Sequence, residues 1–228
     1  MVRALPRALN HLAANQAVRV VVLRGAGDRA FAAGVDITDF TDPDGRPAVA
    51  TFEAEYAAML DRVRGYQAVT IAMIQGACVG GGVELALACD LRFAAEESTF
   101  AIPAARLGLG YVDVEPLVAA IGASRAAEML FTARSFDVAE LATSGLVNRV
   151  VPSAQLAEAV DQVATAIARN APLALTASKL ALRTSAGGRA AREDAAVRAA
   201  VAACYASEDF AEGQRAFLTK RAPRFTGR

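Results

Sequence analysis

Glu84 closes a segment, Gly76-Ala-Cys-Val-Gly-Gly-Gly-Val-Glu84, that follows the apolar run Val69–Ile74 and opens the helical pattern Val-Glu-Leu-Ala-Leu-Ala-Cys-Asp. Strand, glycine-rich turn and helix start leave backbone N–H groups unpaired and pointing outward, able to hold an oxyanion. Glycine is required where a ligand must approach the backbone closely, because a Cβ would block it. A carboxylate in the first helical turn beside such a site can exchange protons with the bound group. It can equally do no more than complement the positive helix end, worth a few tenths to about 1 kcal/mol. The segment alone leaves these two uses even.

A second loop, Phe31-Ala-Ala-Gly-Val-Asp-Ile37, begins where the strand Val18–Leu23 and its turn end. Two glycine-bearing loops at neighbouring strand ends can each aim one N–H at a common point. Losing one donor from such an oxyanion hole costs on the order of 3 kcal/mol. Two ordinary surface turns are the plainer reading of the same residues. Gly25-Ala-Gly-Asp-Arg-Ala30 formally fits the dinucleotide fingerprint GxGxxG/A. It fails on context, since a helix should follow at once and an acid about 20 residues on. Here a further loop follows, and Asp36 comes too soon.

The elements that would position these groups read as follows. Helical spacing of Leu5, Ala8, Leu9 and Leu12 predicts a helix over 3–14 with His11 on the outer face. A second amphipathic helix is predicted over 51–64, and strands over 18–23, 69–74, 91–95, 98–102 and 147–151. Strands alternating with helices predict a parallel α/β arrangement. Asp137 and Glu140 have capping-box spacing. Beyond residue 153 only helices are predicted, over 153–169, 173–184, 189–205 and 207–220, with Pro172 suited to a first helical turn. The expected organisation is a mixed α/β core over 1–152 and a helical module over 153–228 that packs on its own core or supplies a subunit interface.

Composition excludes several functions. In 228 residues, 24 basic side chains balance 24 acidic ones, and 54% are hydrophobic. That gives no electrostatic argument for nucleic acid or an anionic membrane surface. One histidine, His11, and three cysteines, Cys78, Cys89 and Cys204, without a CxxC pair rule out the usual Cys/His zinc sites. They equally rule out Ser-His-Asp and Cys-His catalysis. The cysteines read as reduced core residues, although Cys78 in the glycine turn merits a check of its reactivity. No signal peptide or membrane span is predicted, and a cytoplasmic location is expected.

AFAAGVDITDF, QGACVGGGVELALACDLRFAAEESTFAIP, RSFDVAELATSGLVNRVVP and the terminal SEDFAEGQRAFLTKRAPRFTGR occur in this order across the chain. Together they closely resemble the crotonase superfamily of enoyl-CoA hydratases and isomerases. The resemblance implies a ββα spiral with a C-terminal helical trimerisation module, assembled as a homotrimer or as a hexamer (a dimer of trimers). It implies an acyl-CoA thioester as substrate, with coenzyme A part of that substrate and no other cofactor and no metal. The backbone N–H groups of Val35 and Gly81 would form the oxyanion hole. Ala33, Val35, Asp36, Ile37 and Gly81 would line the CoA groove, and Phe217 and Lys220 would help cover the CoA. Glu84 falls on the first of the two glutamates that hydratases use to manage water.

The chain departs from that pattern at two places. Ala104, beside Pro103, stands where the second hydratase glutamate should be. Asp113 and Glu115 follow shortly, where some isomerases and lyases place their acid, and solvated residues at the start of a helix ending near Ile121 are the plainer reading of each. The strand pair that such enzymes carry before the first helix is expected to be missing. The leading expectation is an enoyl-CoA hydratase or isomerase with Glu84 as acid/base. A double-bond isomerase or C–C lyase using Glu84, with or without Asp113, is the alternative. A catalytically weak acyl-CoA-binding subunit is the reading from another class.

Overall fold

The structure is a computed structural model that describes residues 1–36, 40, 49–111 and 113–228. By contact pattern the chain divides into two compact units. The first comprises residues 1–15, 22–66 and 70–160; the second comprises 16–21, 67–69 and 161–228.

Two four-stranded sheets lie mainly in the first unit, with the starts of two strands counted in the second. One runs β1 (Val20–Arg24), β3 (Val69–Ile74), β5 (Leu91–Ala95) and β8 (Arg149–Val151) in spatial order β1-β3-β5-β8. The other runs β2 (Ala30–Ala32), β4 (Ala77–Val79), β6 (Thr99–Ala101) and β7 (Phe136–Asp137), with β6–β7 its antiparallel pair. β3 aligns parallel with β5, Ile71 opposite Leu91 and Ile74 opposite Ala94. Ile71, Ala72 and Ile74 are fully buried, as expected of a parallel strand covered on both faces. From β1 to β6 the chain thus alternates between sheets, each long strand being followed by a short one.

Four helices matter to the site and its supports: α1 (Ala4–Ala13), α2 (Val49–Arg64), α3 (Gly81–Ala88) and α4 (Val114–Thr132). α2 buries Met59, Leu60 and Val63 on one side. α3 is apolar nearly all round and buries Gly82, Val83, Leu85, Ala86 and Ala88, the pattern of a core helix. It packs against β2 so closely that a Cβ on Gly82 would meet the Ala32 carbonyl oxygen at 2.6 Å. Asp90 ties the end of α3 to β3: its carboxylate accepts from the Thr70 N–H at 2.7 Å and hydroxyl at 2.9 Å. α4 breaks at Gly122 (φ 76°, ψ 156°), one residue after the predicted helix end at Ile121. α5 (Val138–Leu141) starts on the predicted capping box of Asp137 and Glu140.

α6 (Ser153–Ala168) runs from the first unit into the second. The second unit then holds α7 (Pro172–Ala186), α8 (Ala195–Tyr205) and α9 (Glu208–Leu218). The helix predicted over 189–205 is shorter at its start. Asp194 accepts from the N–H groups of Ala196 and Val197, and a capped helix begins there; a separate 3-10 turn occupies Ala191–Glu193. The C-terminal tail is bound back onto α9. The buried Asp209 carboxylate accepts from the N–H groups of Thr226 at 2.7 Å and Gly227 at 2.8 Å. Among the described residues, no helix is long and apolar enough to cross a membrane.

Candidate active site

The two glycine loops meet. Gly34 (φ +102°) and Gly80 (φ +54°) both have left-handed backbone. The point where a Gly80 Cβ would sit lies 3.8 Å from Gly34 Cα. A Cβ on Gly81 would lie 3.3 Å from Val35 Cγ1 and 2.5 Å from the Tyr56 hydroxyl. Glycine is therefore required at 81 by close approach from both sides. Among the described residues, neither the Val35 nor the Gly81 N–H donates to an acceptor, whereas the Gly80 N–H is spent on Ala101 O at 2.7 Å. Gly81 is the first residue of α3, where N–H groups lack intrahelical partners and the helix end is positive.

Glu84 is half-buried in the first turn of α3. Burial is the chief cause that raises its carboxyl above the ordinary glutamate value of 4.5. The negative charge of Asp113 pushes the same way, while the Tyr56 and Tyr111 hydroxyls and the Arg64 charge oppose it. A carboxyl poised upward by burial is suited to take and return protons near neutral pH.

Three further side chains surround it that sequence reasoning missed. Tyr56, from α2, donates its hydroxyl proton to the Gly81 carbonyl oxygen at 2.8 Å. Its ring stacks on Phe52, which meets Phe40 edge-on, so the phenol is held by an aromatic row. Tyr111 lies just before α4. Its hydroxyl is buried and meets no partner at hydrogen-bond geometry among the described residues. It is nonetheless near enough to Glu84 that each shifts the other's titration, and burial pushes the phenol far upward. Arg64, in the last turn of α2, binds Asp113 Oδ2 at 2.5 Å and Asp61 at 3.3 Å. A signal for the first and last existed: Tyr56 and Arg64 are eight residues apart on a predicted amphipathic helix, which sets them two turns apart on one side.

Asp113 stands partly exposed at the start of α4, where the plainer reading has it. It is the residue preceding α4, but its side chain caps nothing and is engaged by Arg64 instead. Glu115 is exposed in the first turn of α4, as that reading has it. Ala104 opens a 3-10 turn, Ala104–Leu107, and offers no polar atom beyond its backbone. Ala33 and Asp36 are exposed beside half-buried Val35; Ile37 lies outside the described residues. Phe217, in α9, is 84% exposed, and Lys220 follows with positive φ of 53°. Both belong to the second unit.

Cys78 and Cys89 are buried outside any disulfide and Cys204 is partly exposed. Burial pushes the Cys78 thiol well above its ordinary range, so a thiolate nucleophile in the glycine turn is excluded at neutral pH. His11 is exposed on α1.

A family model described as enoyl-CoA hydratase/isomerase matches residues 1–228. Mevalonyl-coenzyme A hydratase sidH of Aspergillus fumigatus is 36% identical over 215 residues, covering 92% of this chain and 78% of that protein. The 2,3-dehydroadipyl-CoA hydratase of Escherichia coli is 34% identical, covering 96% of this chain and 86% of that protein. A crystal structure of an enoyl-CoA hydratase/isomerase family protein from Hyphomonas neptunium superposes with a TM-score of 0.91 at 35% identity, covering 100% of this chain and 88% of that one.

Proposed function

The chain belongs to the enoyl-CoA hydratase/isomerase family of the crotonase superfamily, and on that premise we propose that it adds water to a 2-enoyl-CoA thioester with Glu84 as its acid and base. The N–H groups of Val35 and Gly81 receive the thioester oxygen. The single observation that carries the proposal is a carboxyl raised by burial, three residues beyond a backbone N–H without an acceptor among the described residues.

The Glu84 carboxylate takes a proton from water as the water oxygen bonds to Cβ. The double-bond electrons move onto the thioester oxygen, where two N–H donors stabilise the enolate charge. Glu84 then returns the proton to Cα. These proton transfers need no group beyond the protein and the CoA thioester itself. The Asp113–Arg64 pair sets the charge around Glu84 while its own carboxylate is held by the guanidinium. Ala33, Val35, Asp36 and Gly81 line the CoA groove. The assembly is a homotrimer or a dimer of trimers, supported by exposed Leu182, Tyr205, Phe217 and Leu218 on the helical unit.

One observation favours a second reading. With Ala104 at the expected second acid, Glu84 alone can move a proton from Cα to Cγ and shift a double bond without adding water. Incubating the protein with 2- and 3-enoyl-CoA thioesters in deuterated water, with products weighed by mass spectrometry, separates the two. A water adduct supports hydration. A deuterated isomer without added water supports isomerisation. Binding without any change would sink both in favour of a binding subunit.

A further inference from the structure

We propose that the Tyr111 hydroxyl holds the attacking water against Glu84, filling the place that Ala104 leaves without a side-chain polar group; the assignment rests on the hydratase reading above. Water addition needs the water oxygen fixed at Cβ as well as a base for its proton. Ala104 ends at a methyl. Asp113 is taken up by Arg64 at 2.5 Å, and Glu115 is exposed on α4. The Tyr56 proton is already donated to Gly81 O at 2.8 Å.

Tyr111 remains. Its hydroxyl is buried and makes no hydrogen bond of good geometry among the described residues, yet it lies close enough to Glu84 for a side-chain hydrogen-bond interaction, besides the charge, to shift both groups. A buried hydroxyl left unsatisfied is costly, and such orphans in folded proteins call for an explanation. Burial and the Glu84 charge both raise its titration, so at neutral pH Tyr111 keeps its proton and is a donor. In the step, the water oxygen accepts from Tyr111 O–H and the water gives one proton to Glu84. The C–O bond forms at Cβ as the π electrons pass to the thioester oxygen. Tyr111 neither gains nor loses a proton.

The test compares wild type, Tyr111→Phe and Tyr111→Phe/Ala104→Glu in two assays: hydration of a 2-enoyl-CoA, and deuterium exchange at Cα of a saturated acyl-CoA. Exchange needs Glu84 and the thioester site but no placed water. Tyr111→Phe is expected to lose hydration on the order of 100-fold, the usual cost of one oriented donor. Its exchange should stay within about twofold, and Ala104→Glu should recover part of the hydration. The Tm of Tyr111→Phe should change little, since no hydrogen bond of good geometry is lost. Undiminished hydration in Tyr111→Phe, or hydration and exchange falling together, overturns the role. Wild type that hydrates while Tyr111→Phe hydrates equally well overturns the Tyr111 role alone, whereas wild type that exchanges deuterium but adds no water overturns the hydratase reading in favour of isomerisation. Wild type that does neither overturns the underlying hydratase reading and this assignment with it.

Discussion

The Tyr56 hydroxyl donates a 2.8 Å hydrogen bond to the carbonyl oxygen of Gly81, so a side chain from α2 pins the first residue of α3. The same hydroxyl fills the space a side chain at 81 would need, at 2.5 Å from an ideal Cβ. Gly81→Ala is therefore expected to displace either the phenol or the glycine turn, with a loss of stability of about 1–3 kcal/mol and a larger loss of turnover.

Because the clash involves the Tyr56 oxygen first, Tyr56→Phe should recover part of the Gly81→Ala defect. The ring carbon at 3.1 Å and Val35 Cγ1 at 3.3 Å still crowd the site, so recovery stays incomplete. A double-mutant cycle on Tm and kcat measures the coupling. Strict additivity would mean the two residues do not share that space.

Hydration needs Glu84 ionised as base. Its carboxyl is raised above 4.5, so kcat/KM is expected to fall with acid around an apparent pKa above that value. The same shift has a sign for stability. A raised folded-state pKa contributes stability that is full below the unfolded value and is lost as pH rises through the folded one. Glu84→Gln should then be at least as stable as wild type at neutral pH and lose that advantage in acid, as thermal melts across pH would report.

Arg64 and Asp113 act on Glu84 in opposite senses. Arg64→Met removes a favourable charge and leaves Asp113 without that ion pair, so the acid limb of the pH–rate profile should move up. Asp113→Asn removes a repulsive charge and should move it down. Shifts in the same direction would show that the pair acts through packing rather than charge.

Much of the frame was legible in the sequence, and what escaped has physical reasons. The strand over 69–74 and the strand over 91–95 fall on the predicted residues because long apolar runs bounded by turns have few alternatives. β2, β4 and β7 were not predicted. At three, three and two residues they are too short to show a period, and pairing with one another and with β6 in one sheet makes them strands. At the site, Glu84 and the two glycine loops could be read because their chemistry is local. Tyr111 and Arg64 take part only through folding, which brings side chains from the start of α4 and the end of α2 to α3. Tyr111 shows no pattern of its own, and Asp113 revealed its partner only through that ion pair.

The account stands most directly on Glu84. Wild type and Glu84→Gln should be compared with one 2-enoyl-CoA in deuterated water, following water addition and deuterium at Cα, with Kd for the saturated acyl-CoA measured alongside. The expected result is turnover lower by roughly 10²–10⁴-fold with Kd nearly unchanged. Turnover surviving in Glu84→Gln at the wild-type rate would contradict the assignment of acid and base to this residue.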